Sequence, residues 1–436
     1  MKKTLIAVAA AAAAALTTSA FAEITFGAWL RAIPTPIAST GEDTVAGATN
    51  SWGWGCRTAR LDVNAVSEDG KAGYSMGIFN DMNDGLGAGD HALLWVKPID
   101  QVKVSVGKFD SPDNGLRGDF CYGSWNWLRP YNWIYDGEGL TFDGVSKNGL
   151  MVEADPVDAL HVFVAVPLEN TYEKTAETVY RNIQAGFGYS IDGIGKIKAQ
   201  FVGDYSQKNS VKTNYSENDD IEWDAEKGTY KLKEGVEDRE RAKVGAGKKD
   251  DATTGKFGVA FDLTAVENLY VTVGARFGIA DKDYCDADYL KMSFAAGASY
   301  QVADNLKVSA SGTFYKSQEK AFGKKDDKKD NKFDFGAGVD FTVADGLTAT
   351  ADVRFLNTGY GKDGDDNSIS FLVGLNKSVS SNGSIGVGFQ GATNGNGLVR
   401  KGGSSSGIKA GWNEDGKATD GDQFCWAIPV SVSVWF

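Results

Sequence analysis

Few side chains in this 436-residue chain have the chemistry of a catalytic or metal centre. His91 and His161 are its two histidines, the residues that most often move protons near neutral pH. His161 follows directly on the turn Val157-Asp158-Ala159-Leu160, and no nucleophile motif accompanies His91, so no enzyme is expected. The acidic runs at 281–288 and 362–367 carry oxygen ligands but lack the loop length and terminal Glu of an EF-hand. They read as solvated loops, and neither a metal nor a cofactor is implied. Four cysteines, Cys56, Cys121, Cys285 and Cys425, permit three disulfide connectivities as well as free thiols. The densest clustering of functional types is in residues 110–147. There Asp113, Arg117, Asp119, Arg129, Asp136 and Glu138 stand among Tyr122, Trp125, Trp127, Tyr131, Trp133 and Tyr135. Opposed charges beside aromatic rings orient polar solutes without covalent chemistry.

The elements that must position such residues are strands. From Glu23 onward the apolar residues recur with period two, the spacing that sends successive side chains to opposite faces of a sheet. Leu347, Ala349, Ala351, Val353 and Phe355 form one face, and Thr348, Thr350, Asp352 and Arg354 the other. The same pattern runs through 269–277, 306–314 and 428–436. Parity then assigns the wet face: with Ala59, Leu61, Val63 and Ala65 on the apolar side, Arg60, Asp62 and Asn64 take the other, as do Lys97, Lys103, Lys198, Arg276 and Arg354. A net charge of −13 with no basic block excludes nucleic acid as the main partner. The even spread of apolar and aromatic residues excludes a disordered acidic chain.

Residues 1–22 have the form of a secretory signal peptide: Lys2 and Lys3, an Ala-rich apolar stretch from Leu5 to Leu16, then Ala20-Phe21-Ala22 as an A-x-A cleavage pattern. The mature chain, 23–436, contains no apolar run of the length a helix needs to cross a bilayer, which leaves a β-barrel as the only way in. Tight acidic turns such as Ile191-Asp192-Gly193-Ile194 and Ala344-Asp345-Gly346-Leu347 alternate with long polar segments. Eight short turns and nine long loops (32–50, 80–90, 110–147, 168–181, 206–255, 280–288, 316–331, 358–367 and 391–423) separate eighteen strands. The expectation is an all-β, antiparallel transmembrane barrel of 18 strands, with 16 as the alternative because residues 32–58 and 391–423 blur strand ends. Aromatics stand at two heights on the apolar face: Tyr189, Phe261, Tyr300 and Phe341 before short turns, and Tyr205, Phe277, Phe314, Phe355 and Phe389 near long loops. Such girdles mark the two headgroup levels.

These features together resemble bacterial outer-membrane porins. The resemblance rests on the signal peptide, the even strand number and the terminal Phe436 preceded by Val434, Val432 and Val430. It implies export through the periplasm to the bacterial outer membrane, contact with outer-membrane lipids, insertion by the barrel assembly machinery with Phe436 as the assembly signal, and a homotrimer. It implies passive diffusion of small hydrophilic solutes and ions through a water-filled channel. Residues 110–147 take the place of the third porin loop, which folds into the lumen, so Asp113, Arg117, Asp119, Trp125, Trp127, Arg129, Trp133, Asp136 and Glu138 are the expected constriction and the inward cations its facing wall. Two other readings stay open. Sugar-selective porins use a line of aromatic rings, for which Trp125, Trp127, Tyr131 and Trp133 are candidates. A surface adhesin or structural barrel would also use long loops. The acidic balance suggests mild cation preference.

Overall fold

A computed structural model describes residues 22–39, 44–50, 57–81, 85–109, 148–168, 182–208, 221–224, 229–233, 250–280, 290–319, 328–358, 366–393 and 424–436. Its barrel strands, in chain order, are β1 (Ala22–Ser39), β2 (Arg57–Ser67), β3 (Ala72–Asp81), β4 (Gly85–Ile99), β5 (Val102–Lys108) and β6 (Asn148–Val157). They continue with β7 (Leu160–Pro167), β8 (Gln184–Ile191), β9 (Gly195–Lys208), β10 (Asp250–Leu263), β11 (Leu269–Ala280) and β12 (Leu290–Ala303). The last six are β13 (Leu306–Glu319), β14 (Lys328–Ala344), β15 (Leu347–Thr358), β16 (Asp366–Ser380), β17 (Gly383–Thr393) and β18 (Phe424–Ile428 continued as Val430–Trp435). Each strand pairs antiparallel with its sequence neighbours, and β1 pairs with both β2 and β18, so eighteen strands close into one ring.

Closure is made by the chain's two ends. Trp29 to Ala32 pair with Trp435 to Val432, the Phe436 amide donates to the Ala28 carbonyl at 2.8 Å, and the Ala28 amide returns a bond to Phe436 O at 3.1 Å. Pro429 has no N–H and splits β18, but its carbonyl still accepts from Gly388 at 3.0 Å. The tight turns use the left-handed conformations that hairpins require: Gly70 at φ 66° closes a Ser67-to-Gly70 turn of 2.8 Å, and Asn268, at φ 64°, is the one non-glycine residue of positive φ among the described residues.

Burial is inverted relative to a soluble protein. Along β15 the odd residues face out, with Val353 half exposed, while Thr350, Asp352 and Arg354 are each no more than 5% exposed. The same holds around the ring. Leu94, Val106, Phe257, Val273, Val308, Phe335 and Val373 are exposed apolar side chains; Lys198, Gln200, Asp262, Thr272, Arg276, Ser309 and Gln390 are buried polar ones. A surface of contiguous exposed aliphatic and aromatic residues is compatible with hydrocarbon and not with water. Paired backbone groups throughout a closed sheet meet the other demand of a bilayer, that no N–H or C=O face lipid unbonded. The outer rim near the long connections is aromatic. Phe201, Phe257 and Phe277 are consecutive register partners, as are Phe294, Phe314 and Phe333, and Phe335 stacks on Phe355 at 5.2 Å. Towards the short turns stand Tyr189, Tyr300 and Phe341.

Strand ends differ from the sequence reading. β1 runs on to Ser39 and residues Thr44–Asn50 fold back on it, within the segment expected as loop 32–50. β3 and β4 are separated only by residues 82–84, so the expected loop 80–90 is mostly strand. Lys208 pairs with Asp250, which extends the β9–β10 hairpin into the expected loop 206–255. The reason is physical: beyond the apolar band both faces of a strand are wet, and the alternation that identifies it disappears while its hydrogen bonds continue.

Two outcomes test this architecture. Val353→Arg, at mid-strand on the outer face, should destabilise the bilayer-inserted barrel by about 2–4 kcal/mol in denaturant titrations in liposomes; an effect below about 0.5 kcal/mol would contradict the outward placement. At the first tight turn, bonds from the Ser67 hydroxyl and the Lys71 amide hold the Asp69 carboxyl below its ordinary value. Its folded pKa being the lower one, the contribution is present above the unfolded value and lost as pH falls through the folded one. A carboxyl-carbon NMR titration should find Asp69 ionised to lower pH than Asp69 in the unfolded chain, and an equal midpoint would remove the turn contacts.

Candidate functional site: the inner wall of the barrel

Strand parity brings the polar side chains of every strand to one enclosed surface. Arg60 and Asp62, two residues apart on β2, share that surface and are bonded Nε to Oδ1 at 2.6 Å. The Arg60 Nη2 is 3.5 Å from His91 Nδ1, and His91 Nε2 is 3.0 Å from the Ser75 hydroxyl, which donates to Asn64 Oδ1 at 2.7 Å. With Arg60 a donor and Ser75 already donating, the neutral Nε2–H tautomer of His91 satisfies the whole chain. His91 shares the parity of the inward Leu93 on β4, and beside it a register shift, in which Met76 pairs with Ala92 but Ile78 with Ala88, sets one residue of β3 against three of β4. Ser75 and His91 are within nucleophile–base distance, but the group on Nδ1 is a cation. In a Ser–His–Asp arrangement that position is held by a carboxylate.

Further round the ring, the inward cations pair with acids beside them. Lys198 Nζ lies 2.6 Å from Asp262 Oδ2, and the other oxygen of Asp262 accepts from Thr272 at 2.7 Å. Lys103 Nζ is 3.1 Å from Glu153, Arg354 Nε is 3.2 Å from Asp352, and Thr350 donates to Asp340 at 2.7 Å. Arg276 is buried on the same face. Near the short turns, His161 Nδ1 meets Asp155 at 2.8 Å, with Glu153 on its other side at 4.0 Å. Pairing along the wall, within a strand or between neighbours, shortens the range of each charge's field, since a dipole's potential falls off faster than a lone charge's. The inner surface is therefore polar and locally neutralised.

One sector departs from this. On β4–β7 the inward positions include Leu93, Phe109, Met151, Phe163 and Ala165, packed as a buried cluster with Trp95 against it. Sequence parity did not find this cluster, because Ala92-Leu93-Leu94-Trp95-Val96 is apolar on both faces and shows no alternation. The constriction residues expected in 110–147, Asp113, Arg117, Asp119, Trp125, Trp127, Arg129, Trp133, Asp136 and Glu138, lie outside the described residues, as do Cys56, Cys121 and Cys285. Cys425 is buried, opposite Ala392.

Fold and wall together define the class: a transmembrane antiparallel β-barrel of eighteen strands, apolar outside and polar within. In fold it resembles bacterial outer-membrane porins. No family model matches the chain, and no curated protein matches it by sequence. Among solved structures, it is similar to the anion-selective porin from Comamonas acidovorans, with 11% identity, a TM-score of 0.47 and coverage of 95% of this chain and 100% of that one. It is also similar to the outer membrane channel DcaP of Acinetobacter baumannii, with 12% identity, a TM-score of 0.46 and coverage of 96% and 99%. OpdQ of Pseudomonas aeruginosa gives 8%, 0.46, 95% and 97%.

The wall chemistry yields a direct expectation. Asp262→Asn leaves the 4%-exposed Lys198 without its counter-charge and should lower stability by about 3 kcal/mol, whereas the pair Lys198→Met with Asp262→Asn should recover most of the loss. Denaturant unfolding of the micelle-folded barrel measures both, and equal losses in the single and double variants would contradict the pairing.

Proposed function

We propose that this protein is an outer-membrane porin through which small hydrophilic solutes and ions diffuse passively. The observation that carries the reading is the inversion of burial: a closed eighteen-strand ring with exposed Val353 and Val373 outside and Asp352, Arg354, Lys198 and Gln200 inside. A polar inner wall in a bilayer serves water and ions, since unbonded polar groups in hydrocarbon are costly. Export by cleavage of residues 1–22, recognition of Phe436 by the assembly machinery, trimerisation and contact with outer-membrane lipids belong to the same proposal. So does narrowing of the lumen by residues 110–147. The net charge of −13 favours cations at the mouths, while the neighbour-paired wall keeps the preference small.

Reconstitution in a planar bilayer under a salt gradient tests this reading. Stepwise openings are expected, grouped in threes for a trimer, with a reversal potential of small magnitude and cation-selective sign. No openings from a preparation shown to be folded and β-rich would favour a plugged barrel or a surface-adhesion protein. Deleting residues 118–136 should raise the single-channel conductance, and unchanged conductance would remove the constriction role.

A further inference from the structure

The chain has two histidines, and histidine is the side chain whose charge ordinarily changes between about pH 5 and 8. The two differ in what an added proton meets. His91 is 5% exposed and its Nδ1 faces the Arg60 guanidinium, so a second ring proton there is buried beside a cation. His161 stands at the short-turn end of β7, its side chain 32% exposed, between two carboxylates. In the neutral ring Nδ1–H donates to Asp155 Oδ1 at 2.8 Å, which turns the lone pair of Nε2 towards Glu153 Oε1, 4.0 Å away. A proton arriving at Nε2 therefore enters between two acids without any movement of the ring.

The cations nearby have carboxylates of their own. Lys103 on β5 lies 3.1 Å from Glu153. On the other side, the register partner of His161 on β8 is Gly188, so no side chain separates the imidazole from β9 in that row. There Lys198, the partner of Gly188, is bonded to Asp262 at 2.6 Å, and Lys196 is the register partner of the same Asp262. Asp158, in the turn, adds a further exposed acid. Asp155 is what remains: its side chain is 63% exposed, and among the described residues His161 is its partner at ion-pair distance. With His161 neutral, this part of the channel mouth presents a carboxylate and draws cations. With His161 protonated, the pair is neutral and favours neither sign. In water and at low ionic strength, one unit charge about 8 Å from a passing ion changes the occupancy of that ion roughly twofold.

We propose that His161, through its pair with Asp155, determines the ion selectivity of the channel as a function of pH, with cation preference present at high pH and lost as the imidazole takes its second proton. This rests on the porin reading and adds regulation to it. The full mature chain, reconstituted in a planar bilayer under a dilute salt gradient, should give a cation-to-anion permeability ratio roughly twofold higher at pH 8 than at pH 5. His161→Gln should hold the ratio near its pH 8 value throughout, and His161→Lys, which fixes a positive charge, near its pH 5 value. Asp155→Asn, with the carboxylate removed, should displace the ratio towards anions at both pH values. Circular dichroism confirms that each variant is folded before reconstitution. A ratio that does not move with pH, or that moves equally in the unsubstituted protein and in His161→Gln, overturns the role. So does a pH dependence that His91→Gln abolishes and His161→Gln keeps. Those outcomes come with openings and leave the pore standing, whereas a folded preparation that never opens removes the pore and the selectivity assigned to His161 together.

Discussion

Everything in this molecule depends on the unbroken circuit of backbone hydrogen bonds. A peptide group exposed to hydrocarbon without a partner costs several kcal/mol, so a strand that crosses a bilayer is admissible only if it has neighbours on both sides. β1 supplies the last of these pairings. It is bonded to β2 along Ala22–Leu30 and to β18 along Trp29–Ala32 and beyond, with Phe436 and Ala28 exchanging two bonds at the seam. An open ring would leave one edge of β18 facing lipid. Closing it also separates two environments, and side-chain placement follows from that separation.

With the ring closed, period-two alternation becomes a partition between lipid and lumen. Outward positions lose little by being apolar and exposed, because their surroundings are apolar. Inward positions keep polar groups and satisfy them by pairing with neighbours: Arg60 with Asp62, Lys198 with Asp262, Arg354 with Asp352. These pairs explain how so many ionisable groups sit together on one enclosed surface. They also turn the wall from a set of isolated charges into a set of short dipoles, which a solute senses only at close range. The β4–β7 sector supplies the contrast, since its apolar cluster gives a mostly polar wall a second chemical character.

The parts of this architecture that were legible in the sequence are those governed by the two-residue period. Leu347 to Phe355 and Leu269 to Phe277 announce their faces without help, and the acidic turns set the order of the hairpins, so strand number and the inward placement of Lys198 and Arg354 follow from parity. Strand ends were not legible. Lys208 and Asp250 pair where both faces are polar, and Thr44–Asn50 pairs back on β1 with no apolar period to mark it. The bulge between β3 and β4, where pairing shifts between Met76 and Ile78, was not legible either, since bulges leave no periodic signature. The cluster of Leu93, Met151 and Phe163 was hidden for the opposite reason: strands that are apolar on both faces give no parity to read.

The central claim is that lipid lies on one side of every strand and the aqueous lumen on the other. Nitroxide scanning along β15, from Leu347 to Thr358, in a background with the four cysteines replaced and the barrel in liposomes, tests it most directly. The account predicts collision with oxygen peaking at 349, 351, 353 and 355 and collision with a water-soluble nickel chelate peaking at the positions between them, the two profiles out of phase with period two. Profiles in phase, or with oxygen highest at 352 and 354, would contradict it.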